Sequence, residues 1–306
     1  MNKFIITTTI NAPTEAINKF DSMSDWTLIV IGDLKTPKDY KLSNGIYISP
    51  DEQARYDRQL SDAIGWNCIQ RRNFGFLWAH DMNADIVAVV DDDNIPNETW
   101  GTELLLTKKI EVDFYKTTLP VFDAIGATNY KNIWHRGFPL QLLSKRDYSN
   151  VIKKIVIADI QADFWNGDPD IDAICRMEHM PECSFDEKVF PFSSNAIAPF
   201  NSQNTFLKAD LLDDYFLFPY IGRMDDIWAS YYIQAKRKCN VVFNKPSVYQ
   251  KRNPHDLIKD MQQEYLGYEN NLKIITEIRE NPDALLKYLP ERSRFAFNLY
   301  KKHFNL

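Results

Sequence analysis

Three carboxylates in a row, Asp91, Asp92 and Asp93, follow directly on the apolar run Ile86-Val87-Ala88-Val89-Val90. Such a run reads as a strand buried on both faces. Adjacent negative charges repel one another and are costly to desolvate, so at a strand's carboxyl end they favour a bound cation. Open α/β sheets take ligands at that end, and a divalent metal with oxygen ligands, bridging to a diphosphate, suits the chemistry. An isolated acidic turn would simply be solvated; the strand before it and the basic segments elsewhere favour the metal. Alternate side chains of an Asp-x-Asp turn point the same way. Asp93 is therefore assigned to the metal and Asp91 to a ribose hydroxyl or the metal shell, with Asp92 on the donor side.

Four further constellations carry charge in useful patterns. Arg71-Arg72 open a helix, where unpaired N–H groups already favour anions; they can clamp a nucleotide phosphate or order the acidic loop, or be an exposed basic helix start. Gly222-Arg223-Met224-Asp225-Asp226-Ile227-Trp228 puts two carboxylates at the head of an aromatic-rich helix. They can cap the helix dipole or supply a general base beside an acceptor hydroxyl. Gln250-Lys251-Arg252-Asn253-Pro254-His255-Asp256 sets two cations and a histidine just after a strand, fit to neutralise a leaving diphosphate and complete a metal site. Asp168, Asp170 and Asp172 alternate through a Gly-Pro turn. They resemble a calcium loop but lack the EF-hand's glycine and terminal glutamate spacing, and a sugar- or acceptor-binding loop is equally compatible.

The elements that must position these groups begin with a strand over Phe4 to Ile10. A helix follows from the Asn11-Ala12-Pro13-Thr14 break to about Met23, then a strand over Trp26 to Ile31. Residues 50–64 and 71–82 read as helices and 86–90 as the acidic-tipped strand. This alternation predicts a parallel sheet with right-handed crossovers. Residues from about 110 to 200 read as loops and short strands over the sheet's mouth. A helix is predicted over 225–238, a strand over 241–243, and mostly helix from 257 onward, with breaks at Asn281-Pro282 and Pro290.

Composition sets the frame. The 306 residues are 44% hydrophobic and 25% charged, with a net charge of −6, which does not suggest a nucleic-acid partner. Cys68, Cys175, Cys183 and Cys239 form no CxxC pair and read as reduced thiols of a cytoplasmic protein. No apolar run approaches the length of a membrane span. The basic amphipathic stretch 285–306 can lie on an anionic membrane surface or pack on its own domain.

Taken together, several segments resemble the STELLO family, glycosyltransferase-like proteins of plants with relatives in animals and microbes. They are Thr7-Thr8-Thr9-Ile10-Asn11-Ala12-Pro13-Thr14, Val30-Ile31-Gly32-Asp33-Leu34-Lys35-Thr36-Pro37 and Arg71-Arg72-Asn73-Phe74-Gly75-Phe76-Leu77, with Asp91-Asp92-Asp93-Asn94 and residues 166–173, 201–205 and 250–255. Arg136-Gly137-Phe138-Pro139 and residues 222–228 also resemble the reversibly glycosylated polypeptides, the UDP-arabinopyranose mutases. The resemblance implies an α/β GT-A fold: a Rossmann-like, mostly parallel sheet with helices on both faces, followed by C-terminal helices. Residues 1–256 would form the catalytic domain, with a donor half to about 110 and an acceptor half beyond it, and 257–306 a helical extension.

It further implies Mn²⁺ or Mg²⁺ held by Asp91, Asp93 and His255. Thr8, Thr9, Asn11 and Asp33 would lie near the nucleotide base, Arg71 and Arg72 beside base, ribose or phosphate, and Lys251 and Arg252 on the diphosphate. Asp226 would be the catalytic base, with Asp225 holding the acceptor. Arg136, Asp168, Asp170, Asp172, Asn204, Arg223 and Trp228 are assigned to acceptor or sugar. The expected activity is inverting transfer from a nucleotide sugar, UDP being favoured, to a glycan, lipid-linked or other hydroxyl acceptor in surface polysaccharide synthesis. The alternatives are a nucleotide-sugar mutase using Arg136 and a non-catalytic scaffold. Plant STELLO proteins carry a membrane anchor ahead of this domain; its absence here suggests a free-standing microbial enzyme in the cytoplasm, either free or peripheral on the membrane's inner face.

Overall fold

The computed structural model describes residues 1–251 and 256–304. Its strands are β1 (Lys3–Thr9), β2 (Thr27–Gly32), β3 (Ile46–Ile48), β4 (Ile86–Val90), β5 (Asn94–Pro96), β6 (Lys109–Tyr115), β7 (Val151–Ile157), β8 (Ile160–Gly167), β9 (Phe192–Ser194), β10 (Asn204–Lys208) and β11 (Val241–Gln250). Its α-helices are α1 (Glu15–Asp21), α2 (Pro50–Tyr56), α3 (Arg58–Ile64), α4 (Arg72–Asp81), α5 (Ala173–His179), α6 (Asp225–Arg237), α7 (Leu257–Ile278) and α8 (Glu291–Lys302). All eleven strands join one sheet in the order β3-β2-β1-β4-β10-β8-β11-β9-β6-β7, with β5 on β11.

The first four strands are mutually parallel, as the alternation of strand and helix predicts. Every residue of β4 is buried, the burial that a central parallel strand requires. Helix α4 lies close over β1 and β2 because Gly75 has no side chain; a Cβ there would strike Ile6. Thr14 caps α1 by accepting from Ile17 N at 3.2 Å. The helix expected over 50–64 is two helices. Asp57 is extended there (φ −150°) and accepts from Leu60 N at 2.9 Å, ending α2 and capping α3.

Past β4 the sheet changes character. β10 runs antiparallel to both β4 and β8, and β8 runs parallel to β11. The region expected to be loop-rich thus supplies β8, a strand buried along most of its length. Strand β11 runs to Gln250 rather than stopping at Phe243, passing a register shift between Asn244 and Val248. Beyond the shift it pairs with β5, Gln250 opposite Asn94. The chain leaving the acidic turn therefore crosses at once from the β1–β4 side of the sheet to β11.

The C-terminal helices close the back of this arrangement. Phe297 and Tyr300 of α8 stack near Phe216 at 5.5 and 4.9 Å, and Tyr300 Oη donates to Leu212 O at 2.6 Å. Leu285 and Leu289 are buried as well. The apolar face that the sequence allowed for a membrane surface is thus used internally, because a neighbouring apolar wall is available to it. No helix among the described residues is long and apolar enough to cross a membrane.

Candidate active site

The acidic turn sits between β4 and β5, and its three carboxylates part company there. Asp91 Oδ1 accepts from Arg72 Nη2 at 2.7 Å. Burial raises the Asp91 carboxyl above the usual range, and Arg72 opposes that rise. Asp92 turns the other way, accepting from Thr9 Oγ1 at 2.5 Å and Asn11 Nδ2 at 3.2 Å. Asp91 and Asp93 line a cleft of about 630 Å³ with Asp225, Asp226, Arg136 and Arg223. A second hollow of about 270 Å³ is lined by Asn11, Asp92 and Lys251 and also by Asp93, which thus borders both spaces.

The opposite wall is the head of α6. Asp226 is clamped: it accepts from Arg136 Nη1 and Nη2 at 2.9 and 3.1 Å and from Ser202 N at 3.0 Å. Arg136 is clamped in turn, donating to Asp170 Oδ1 and Oδ2 at 2.8 and 3.0 Å and to the Arg223 carbonyl. Burial works against the Arg136 charge, but Asp170 and Asp226 outweigh it and hold the guanidinium more firmly protonated than usual. Gly137 makes this geometry possible. Its φ is +94°, and a Cβ would strike Ile227 on the first turn of α6. Asp225 keeps different company. It accepts from Gln70 Nε2 at 2.7 Å, and burial, then the Asp226 charge, push its carboxyl up to about 7.

Several assigned residues lie elsewhere. Arg71 is fully buried and faces no phosphate site. It donates to Gln53 Oε1 at 2.5 and 2.8 Å and to the Ser61 and Gly65 carbonyls, and its guanidinium lies 3.7 Å over the Trp66 ring. Arg72, in contrast, bridges Asp91 and the Ser202 carbonyl, the loop-ordering role open to it in the sequence. Asp33 is spent on the backbone N–H groups of Leu34, Asn67 and Cys68. Thr8 donates to the Ile31 carbonyl.

The alternating aspartates do not converge on one ligand. Asp168 pairs with Arg176, Asp170 with Arg136, and Asp172 caps α5 through Cys175 N. Asn204 and Trp228 are corrections. Asn204 is a buried link among Trp100, Phe164 and Ser247, and Trp228 is a core residue bonded to Asn271. Trp228 lies one turn deeper along α6 than Asp225 and is fully buried. Arg252 and His255 lie outside the described residues.

Other residues reach the site without any signal of their own. Gln70, Ser202, Gln203, Tyr220, Gln250 and Gln263 line the cleft. Gln70 adjoins the Arg71-Arg72 pair, Ser202 and Gln203 lie in the 201–205 segment, and Gln250 opens the 250–256 constellation, but none of them is marked there as a site residue. Glu264 of α7 is wholly buried and joins three segments. It accepts from Arg223 Nε at 2.8 Å, Ala173 N at 2.7 Å and Tyr268 Oη at 2.5 Å. Among the described residues no group of three His, Cys, Asp or Glu gathers as a ready-made metal cage.

Comparison with known proteins gives the following. No family model matches the chain. "Probable glycosyltransferase STELLO1" and "Probable glycosyltransferase STELLO2" of Arabidopsis thaliana are 25% and 23% identical to it over 184 residues, 56% of this chain. The match spans about a quarter (24%) of the length of those relatives. The crystal structure of glucosyl-3-phosphoglycerate synthase from Mycobacterium tuberculosis, in complex with Mn²⁺, uridine diphosphate and phosphoglyceric acid, superimposes with a TM-score of 0.50 at 13% identity. It covers 89% of this chain and 78% of that one. The shared architecture is the GT-A fold expected from the motifs.

Proposed function

We propose that this cleft is the active site of a metal-dependent glycosyltransferase using a nucleoside diphosphate sugar. The observation that carries this is the charge of the cleft. Asp91, Asp93, Asp225 and Asp226 face one space; Arg72 and Arg136 offset Asp91 and Asp226, Arg223 is committed to Glu264 outside the group, and Asp93 and Asp225 add two further carboxyl groups. Such a space favours a cation. Mn²⁺ or Mg²⁺ fits, since these ions are commonly held by one or two carboxylates plus substrate phosphates, and Asp93 and Asp91 would be its protein ligands. The choice of metal and of uridine diphosphate follows the synthase complex by analogy of fold. When bound, the metal would stabilise the negative charge that grows on the leaving diphosphate.

The chain's own residues supply the rest. Asp225 is the base. Its carboxylate meets Gln70 and no arginine within ion-pair distance among the described residues, and a carboxyl near neutrality is well matched to taking a proton. Asp226 was the expected base from sequence, but its oxygens are engaged by Arg136 and Ser202, so it fixes the wall on which Asp225 stands. The acceptor hydroxyl loses its proton to Asp225, and its oxygen bonds to the anomeric carbon. The bond from that carbon to the diphosphate breaks, and the electron pair leaves with the diphosphate. Inversion follows, because Asp91 and Asp226 are tied to arginines and neither is set up as a nucleophile.

The mutase alternative would need a nucleophilic arginine. Arg136 is held protonated between two carboxylates, which weighs against it. The test is release of UDP from UDP-sugars in Mn²⁺, for the wild type and Asp225→Asn. Failure to bind UDP in Mn²⁺ would leave the scaffold reading in possession.

A further inference from the structure

A second chamber of about 480 Å³ opens beside the cleft and shares Cys68, Gln70 and Tyr220 with it. Its lining holds one acid, Asp62, and one base, Arg292, in place of the cleft's four carboxylates. Arg292, from α8, stands in its wall with no carboxylate within 4.0 Å among the described residues. It donates to the Asp62 carbonyl at 2.6 Å and lies 4.8 Å over the Tyr220 ring. A guanidinium has five N–H donors; Arg292 is exposed, so its other donors are open to solvent or to a ligand in the chamber. The Asp62 carboxylate in the same wall is paired with Arg58 at 3.1 Å. Behind the Trp66 face lies Arg71, also without a carboxylate partner and held by neutral acceptors. Burial lowers the Arg71 guanidinium to about 10.

Tyr220 forms the boundary between cleft and chamber. It is 43% exposed and has a φ of +67°, a backbone conformation that costs a non-glycine residue free energy. Its hydroxyl donates to Ala63 O at 2.8 Å, so the strained residue is fixed at the junction. Gln70 also borders both spaces and bonds to Asp225. A substrate whose hydroxyl meets Asp225 can therefore pass over Gln70 and Tyr220 into the chamber.

We propose that the chamber binds an oxyanion carried by the acceptor, a phosphate or a carboxylate, with Arg292 as its counter-charge. This rests on the transfer reading for the cleft. It makes the acceptor an acidic molecule and gives the C-terminal helix a part in choosing it.

The test is titration of methyl phosphate, and separately of acetate, into protein loaded with UDP and Mn²⁺ at constant ionic strength. Wild type, Arg292→Gln and Arg292→Lys are compared, each first shown by its melt to be folded. At least one of the two anions should bind wild type. Arg292→Gln should weaken it roughly tenfold or more, as loss of a charge-assisted hydrogen bond does. Arg292→Lys should retain part of the affinity, and the affinity for UDP should not change. The anion that shows this dependence identifies the group. Equal binding to wild type and Arg292→Gln, or binding of neither anion, would overturn the proposal. A parallel loss of UDP affinity would also overturn it, by placing the donor in the chamber. If UDP fails to bind the wild type, the transfer reading fails by itself, and anion titration without nucleotide still decides whether Arg292 holds an oxyanion.

Discussion

Gln70 donates to Asp225 at 2.7 Å across 155 residues of sequence, joining the lead-in to α4 with the head of α6. The contact gives Asp225 a fixed direction without quenching its charge. Asp226, one residue on, meets a guanidinium and a backbone amide instead. The two neighbours should therefore fail differently when changed. Asp225→Asn should lower transfer roughly 10²–10⁴-fold while UDP binding persists. Asp226→Asn should first cost stability, about 1–3 kcal/mol, because Arg136 keeps Asp170 but the charge-assisted hydrogen bonds that Asp226 accepts from Arg136 and Ser202 N are weakened. Melting curves beside turnover separate the two. A stable, inactive Asp226→Asn with an active Asp225→Asn would return the base to Asp226.

The pH dependence has a definite sign. Burial comes first among the causes that raise Asp163 to about 6 and Asp172 and Asp225 to about 7. An acid whose carboxyl is raised on folding holds its proton in the native state after the unfolded chain has released it, so stability falls as pH rises between the two values. The window here runs from about 4 to about 7. The midpoint of thermal unfolding should accordingly decline between mildly acidic and neutral pH, and a midpoint that climbs there would contradict this. Transfer should move the opposite way, increasing through about 7 as Asp225 loses its proton. That limb should be absent from the residual activity of Asp225→Asn.

Asp93→Ala should remove the gain in UDP affinity that Mn²⁺ gives. The same protein treated with EDTA provides the reference. Calorimetric titration of UDP with and without metal measures both, and an undiminished metal effect in Asp93→Ala would move the metal away from this turn.

Deleting residues 285–306 should unfold the protein or lower its melting temperature sharply. Leu285, Leu289, Phe297 and Tyr300 are buried against the rest of the chain, and burying a large apolar side chain contributes about 1.5–3 kcal/mol. Circular dichroism of the truncated protein decides it. A native melt would show that the tail merely docks.

Much of the chain through β4 was legible because its signals are local. The strand β4 with its acidic tip, the Thr14 cap and the alternation of strand and helix all lie within short windows of sequence. The region beyond β6 was harder because its strands bury polar residues. Gln161 and Asp163 interrupt β8, yet they bond to each other at 2.8 Å inside the sheet. Asn204 does the same in β10 through Trp100 and Ser247. Polar residues paired with one another are affordable in a core, but the pairing joins distant segments and leaves no periodicity to read. The site shows the same division. Its carboxylates were found as clusters, whereas which of them stays accessible depends on Arg136, Gln70 and Ser202, placed by the fold.

The hydrogen bonds of β10 also restrict how the molecule can move. Asn204 to Lys208 pair with β4 on one side, and Thr205 to Leu207 with β8 on the other. The two sides of the cleft are therefore stitched into a single slab, and a hinge between them would have to tear a central strand from a neighbour. Solvent must be shut out by shifts of the rim around Tyr220 rather than by closure of one lobe on another. X-ray scattering profiles of the free and UDP-loaded protein should superimpose at low angle, while backbone exchange slows at the rim.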